Sequence, residues 1–170
     1  MPKNADPRVP LLLELMDEAF DHKAWHGPNL WGAVRGLDPA VAAWRPGPGR
    51  HNIHEVALHA AYWKYAVRRR LTGEKRGSFL YKGSNWFARP DQTDPALWRA
   101  DVRLLRDEHD RLREAVARLK RSGLDRGRRG TGASAATGRQ AARRLVYGIA
   151  AHDLYHAGQI RLLRRLCPFG

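Results

Sequence analysis

The stretch Leu145-Val-Tyr-Gly-Ile149-Ala-Ala-His152-Asp-Leu-Tyr-His156-Ala-Gly-Gln159-Ile-Arg-Leu-Leu163-Arg-Arg-Leu166 decides how the chain is read. Leu145, Ile149, His152, His156, Gln159, Leu163 and Leu166 alternate steps of four and three, the spacing of one seam on a core-facing helix. Apolar residues fill both ends of the seam, and three polar side chains interrupt its middle. Burying two imidazoles and an amide without partners costs roughly 1–3 kcal/mol each, so the interior must satisfy them. His152 and His156, at i and i+4, project the same way one turn apart, which suits two ligands of one metal ion. A pair of hydrogen-bonded core histidines would leave the same signature.

The preceding chain supplies three more long helices. Leu12, Leu15, Met16, Ala19 and Phe20 predict an amphipathic helix over Val9 to His22. Asp38-Pro39 caps a short helical piece to Trp44, which Pro46-Gly-Pro48-Gly ends. Asn52, with Glu55 three residues on, opens a helix to about Leu71 with Gly73 as its stop; its seam is Val56, His59, Trp63 and Ala66. Asp94-Pro95 caps a third, whose seam is Trp98, Val102, Leu105, His109, Leu112, Val116 and Leu119, closed at Gly123. The fourth runs from about Gln140 to Leu166. With no strand pattern, the expected fold is all-α, an antiparallel four-helix bundle forming a single domain over residues 1–170. Residues 1–8 are expected to be a loose arm. Residues 74–93 form an aromatic loop packed over one end of the helices, and 120–139 form an Arg/Gly-rich mobile loop.

Composition narrows the classes. One cysteine, Cys167, excludes an internal disulfide framework and fits a reducing compartment. No secretory leader or membrane-spanning run is recognisable, so a soluble cytoplasmic protein is expected, with no membrane partner. The net charge is +14. Half of that excess lies between Lys120 and Arg144, where eight basic residues face one acid, Asp125. Such a segment favours polyanions at low salt. A solvated basic loop is the simpler reading, and nucleic acid is not the favoured partner.

Four histidines lie on or beside the seams: His59, His109, His152 and His156. Three or four nitrogens converging within about 2.0–2.2 Å of one ion would make a metal site; satisfied core histidines are the alternative. Other metal patterns fail. His54-Glu55-Val-Ala-Leu-His59 is one residue too long for HExxH, and the carboxylates of a di-iron centre are missing.

The segments Arg50-His-Asn-Ile-His-Glu55-Val-Ala-Leu-His59-Ala-Ala-Tyr-Trp-Lys64 and Ala151-His152-Asp-Leu-Tyr155-His156-Ala-Gly-Gln159-Ile resemble the DinB-like (DinB/YfiT) superfamily. The resemblance extends through Trp25-His26-Gly-Pro28 and Gly83-Ser-Asn-Trp86-Phe. It implies a four-helix bundle binding one divalent metal ion, Zn, Ni, Fe or Mn, through His59, His152 and His156. His109 is not a ligand position, and a hydrogen-bonded core histidine is expected there. His26 and Gln159 are pocket candidates, Gln159 as an amide behind a ligand. Trp63, Trp86 and Phe87 are expected in the core. The resemblance further implies a metal-dependent enzyme, a thiol S-transferase using bacillithiol, mycothiol or glutathione, or a hydrolase, and a homodimer. The competing reading is a non-enzymatic, stress-associated bundle with a structural metal and a basic loop on nucleic acid.

Overall fold

The computed structural model describes residues 6–120, Leu124 and 141–170. The described residues are helical, with no strand: α1 (Arg8–Phe20), α2 (Leu30–Val34), α3 (Pro39–Ala43), α4 (Ile53–Thr72), α5 (Pro95–Ala117) and α6 (Ala142–Leu166). The caps are those the sequence marks. Asn52 accepts from the backbone N–H of Glu55, Asp38 from Ala40, and Asp94 from both Ala96 and Leu97. Gly73 ends α4 at φ 83°, a left-handed conformation that a Cβ would disfavour. At its C-terminus α5 stops at Ala117, short of the expected Gly123.

The four long helices enclose the core, with α4 packed on α5 and α6, and α1 packed on those same two. Short α2 lies on α6, and α3 on α4. Two apolar clusters give the helix directions. One joins Phe20 of α1, Ile53 and Ala57 of α4, Trp98 and Leu105 of α5, and Ala157 and Ile160 of α6. The other joins Val9, Leu12 and Met16 of α1, Val67 and Leu71 of α4, Leu112 and Val116 of α5, and Leu145, Val146 and Ile149 of α6. Thus α4 and α5 both run from the first cluster to the second, and α1 and α6 run back.

The antiparallel expectation is therefore corrected for two neighbouring pairs, α1 with α6 and α4 with α5. Helices α4 and α5 are parallel, with which the His54–Asp101 hydrogen bond and the Arg68–Glu108 ion pair agree. A parallel pair needs a connection as long as the helix, about 30 Å for twenty residues. Residues 73–94 are that crossover. They descend beside α4, where Gly77 donates to the Tyr65 hydroxyl, Asn85 meets His59 and Trp63, and Arg89 meets Glu55. The aromatic segment thus lines the flank of α4 and is not confined to one end.

Two further expectations change. Asp6 is buried and accepts from the Arg8 amide and guanidinium, so residues 6–8 belong to the start of α1 and not to a loose arm. Leu124, inside the segment read as a mobile loop, is buried against the second apolar cluster, where its side chain leaves water. The rest of that loop past Lys120 lies outside the described residues.

Replacing Leu112, fully buried in the second cluster, by Ala should destabilise the protein by about 2–5 kcal/mol. Asp94→Ala, which only removes a cap, should cost about 1 kcal/mol. Urea denaturation followed by circular dichroism measures both, and equal losses would show that the core is not organised as described.

Candidate metal centre

Helical spacing on α6 stacks His152 and His156 one turn apart, and α4 packs alongside and presents His59 to them. The Nε2 atom of His152 lies 3.1 Å from Nε2 of His59 and 3.1 Å from Nε2 of His156. Among the described residues, these three histidines form the group that could hold a metal ion. The Nδ1–H of His59 donates to the backbone carbonyl of Asn85 at 2.8 Å, and that of His156 donates to the Gln159 amide oxygen at 2.6 Å. Both rings therefore turn an Nε2 lone pair toward His152. One Nε2–H on His152 cannot satisfy both neighbours fully, whereas a cation satisfies all three nitrogens. Two imidazole nitrogens bound at ~2.0–2.1 Å and at tetrahedral or octahedral angles stand about 2.9–3.4 Å apart. The observed separations fit, so the donor set suits a divalent ion of the zinc type.

Burial favours the neutral, ligating form. It pushes His152 down to about 3, helped by His156, His59 and Lys64. Burial also takes His156 down to about 4 against the opposing Gln159 hydrogen bond, and lowers His59 against the Asn85 bond. The Nδ1 atom of His152 is buried without a hydrogen-bond partner among the described residues.

The crossover walls the centre. The Trp86 ring lies on His59 at 3.9 Å and carries His51 on its other face at 3.7 Å. Trp86 is 37% exposed, so it is a stacking surface and not the core residue expected; Phe87 is buried as expected. Glu55 fixes the base of this stack, accepting from Arg45, His51 and the Arg89 amide. Burial would raise its carboxyl, but those hydrogen bonds prevail and bring it to about 2. One layer deeper, Asp101 binds His54, Tyr81 and Arg89.

Beneath His152, the fully buried Lys64 ammonium pairs with Asp153 and lies 3.3 Å from Nδ1 of His109. His109 stacks on Phe20 at 3.6 Å, and burial pushes its pKa far below the usual range. It is the hydrogen-bonded core histidine expected. Asp153 lies beside the α6 seam, yet it is buried, because α6 packs on both α1 and α4. Gln159 sits behind His156 and donates to the Tyr155 hydroxyl. His26 lies half-buried in the turn before α2, and no hydrogen bond or ring contact joins it to the centre among the described residues.

Sequence reasoning missed Lys64, Asn85 and the Trp86 stack. Fifteen of the twenty residues of α4 are buried, so a one-seam reading undercounts its inner faces. The signal was the run Ala57, Ala60, Ala61 and Ala66, small on several sides.

The sequence model of the DinB superfamily matches residues 24–160, and the chain belongs to that superfamily. No curated protein and no solved structure matches it.

Asp153→Ala should destabilise by about 3–5 kcal/mol, because it strands the Lys64 charge in the core. The double replacement Lys64→Met with Asp153→Leu should recover most of that loss. A denaturation cycle over Lys64→Met, Asp153→Leu and their combination decides it, and additive losses would rule out the pairing.

The histidine pKa values fix a sign for metal-free protein. Native imidazoles titrating near 3 and 4 bind fewer protons than unfolded ones near 6.5, so stability is full above about pH 6.5 and falls as pH drops toward 4. The slope is at most about 1.4 kcal/mol per pH unit per histidine. His152→Gln should flatten the slope, and an unchanged slope would place the titration elsewhere.

Proposed function

Taking the chain as a member of the DinB superfamily, we propose that His59, His152 and His156 bind one divalent metal ion in a metal-dependent enzyme of the thiol S-transferase or hydrolase type. The observation that carries this reading is the convergence of three Nε2 atoms, two of whose rings have their Nδ1 protons engaged elsewhere. Three protein ligands leave further coordination positions for a substrate, the catalytic and not the structural pattern. A bound ion supplies Lewis acidity, which lowers the pKa of a coordinated thiol or water toward the nucleophilic form at neutral pH.

The chain's own groups hold the imidazoles neutral and oriented. Asn85 and Gln159 take the outward protons, and burial disfavours the imidazolium. Trp63, Trp86 and Tyr155 ring the histidines with apolar surface, their centroids 6.1 Å from His152, 6.4 Å from His156 and 5.0 Å from His156 respectively. Such a rim strips water from an incoming thiol and its electrophile. The substrate we propose is a low-molecular-weight thiol.

In this reading α1, α4, α5 and α6 constitute a four-helix bundle working in the cytoplasm. The partner we propose is a second copy, seated on the exposed α6 stripe of Tyr147, Tyr155, Leu162 and Leu166.

Elemental analysis of purified protein should find one divalent metal ion per chain, and His156→Ala should lose most of it. Thiol-dependent transfer to an electrophile, screened with several small thiols, should disappear in the same variant. After chelation the helical circular dichroism should persist, because the apolar clusters do not contain the metal ligands. Undiminished metal in His156→Ala would overturn the ligand set, and collapse to coil on chelation would make the metal structural.

A further inference from the structure

The crossover beside α4 makes one sharp excursion. Among the described residues, Asn85 is the non-glycine residue with positive φ, 70°. Asparagine tolerates that left-handed conformation better than most residues, but it is uncommon and demands compensation. Two bonds to the same helix supply it. The backbone carbonyl of Asn85 accepts from Nδ1–H of His59 at 2.8 Å, and its side-chain oxygen accepts from Nε1–H of Trp63 at 2.9 Å. His59 and Trp63 are one turn apart on α4, so Asn85 bridges adjacent turns with backbone and side chain at once. The next residue lays its indole on the His59 ring, 15° from parallel.

We propose that Asn85 is the positioning residue for His59: it sets the Nδ1–H tautomer and the ring direction, so that Nε2 points into the metal centre. The inference rests on the metal-centre reading for its purpose but not for its test. A ring on a helix has two free torsions, and a neutral imidazole has two tautomers. The Asn85 carbonyl selects the tautomer, and the Trp86 stack selects the plane. His156 has its holder, Gln159, on its own helix, three residues away. His59 depends on a residue 26 positions distant, and that residue is held in place by Trp63. The left-handed turn is what aims the carbonyl back at α4.

The test uses the full chain with three variants. Asn85→Ala removes the Trp63 anchor and disfavours the positive φ. Trp63→Phe removes only the anchoring N–H. Asn85→Asp retains an acceptor and the tolerance for positive φ. Nitrogen-15 NMR of the metal-free protein at neutral pH reads each histidine tautomer, and chelator competition reads zinc affinity.

In wild type, His59 and His156 should both carry the proton on Nδ1. In Asn85→Ala and Trp63→Phe, His59 should become a mixture of tautomers while His156 stays unchanged. Zinc affinity should fall by about 10- to 100-fold, the usual effect of losing a group that orients a ligand. Asn85→Asp should restore both readouts. An unchanged His59 tautomer and zinc affinity in Asn85→Ala would overturn the proposal. So would a parallel change at His156, which would mean general loosening of the site. If wild type binds no zinc but His59 alone changes tautomer in the variants, the positioning role stands and the metal-centre reading falls.

Discussion

A polar layer divides the interior of this protein, and the remaining structure is built around satisfying it. One apolar cluster lies to either side. Between them sit the three imidazoles of the candidate centre and, deeper, Lys64, Asp153 and His109. Each of these groups would cost free energy if buried alone, and the penalty for a charge exceeds that for an amide or imidazole. The helices therefore cannot slide by a turn without stranding a charge. The Lys64–Asp153 pair ties α4 to α6 at one depth, and Lys64–His109 ties α4 to α5 at the same depth. The pairing that fixes depth also fixes where His59 meets His152.

Parallel packing of α4 and α5 has the next consequence. It obliges the chain to return the length of a helix before α5 can begin, and that return passes the centre. Tyr65, His59 and Glu55, in order down α4, receive Gly77, Asn85 and Arg89, in order along the crossover. A hairpin between antiparallel helices would have left this flank of α4 open to solvent. The wall of the centre is thus a product of topology, and the buried carboxylates Glu55 and Asp101 fasten the crossover where its last residues reach α5.

Much of this was legible in the sequence because it is local. Asn52, Asp38 and Asp94 announce helix starts through short-range hydrogen bonds, and Gly73 announces an end. The four-residue spacing of His152 and His156 states their common direction without reference to anything else. The family resemblance, not spacing, nominated His59 as their partner. What stayed hidden is long-range. The direction of α5 is not written in its own periodicity. The burial of Lys64 depends on helices that approach α4 from two sides. Asp153 looks like a surface acid beside its seam until the second neighbour of α6 is known. Asn85 sits in a segment without periodicity, and only the folded crossover brings its carbonyl to His59. The far end of the α6 seam also misleads: Leu166 keeps the spacing but is 56% exposed, because the buried face has turned to Ala157 and Ile160.

The candidate centre itself is asymmetric, and the asymmetry bears on the function proposed for it. His59 and His156 are buried, and each is held at Nδ1 by a fixed oxygen. His152 is less buried, and its Nδ1 has no such holder among the described residues. A hydrogen bond behind a ligating ring removes its freedom to rotate and raises its basicity. Two of the three rings are therefore set by the fold, and the third is held only through its Nε2 contacts to the other two. For an ion bound by all three, that division would lower the entropy lost relative to three free rings, because only one ring would have to be ordered. A centre built only to hold a fold would gain from fixing all three rings, whereas a centre whose outer coordination changes during a reaction gains from one that can yield.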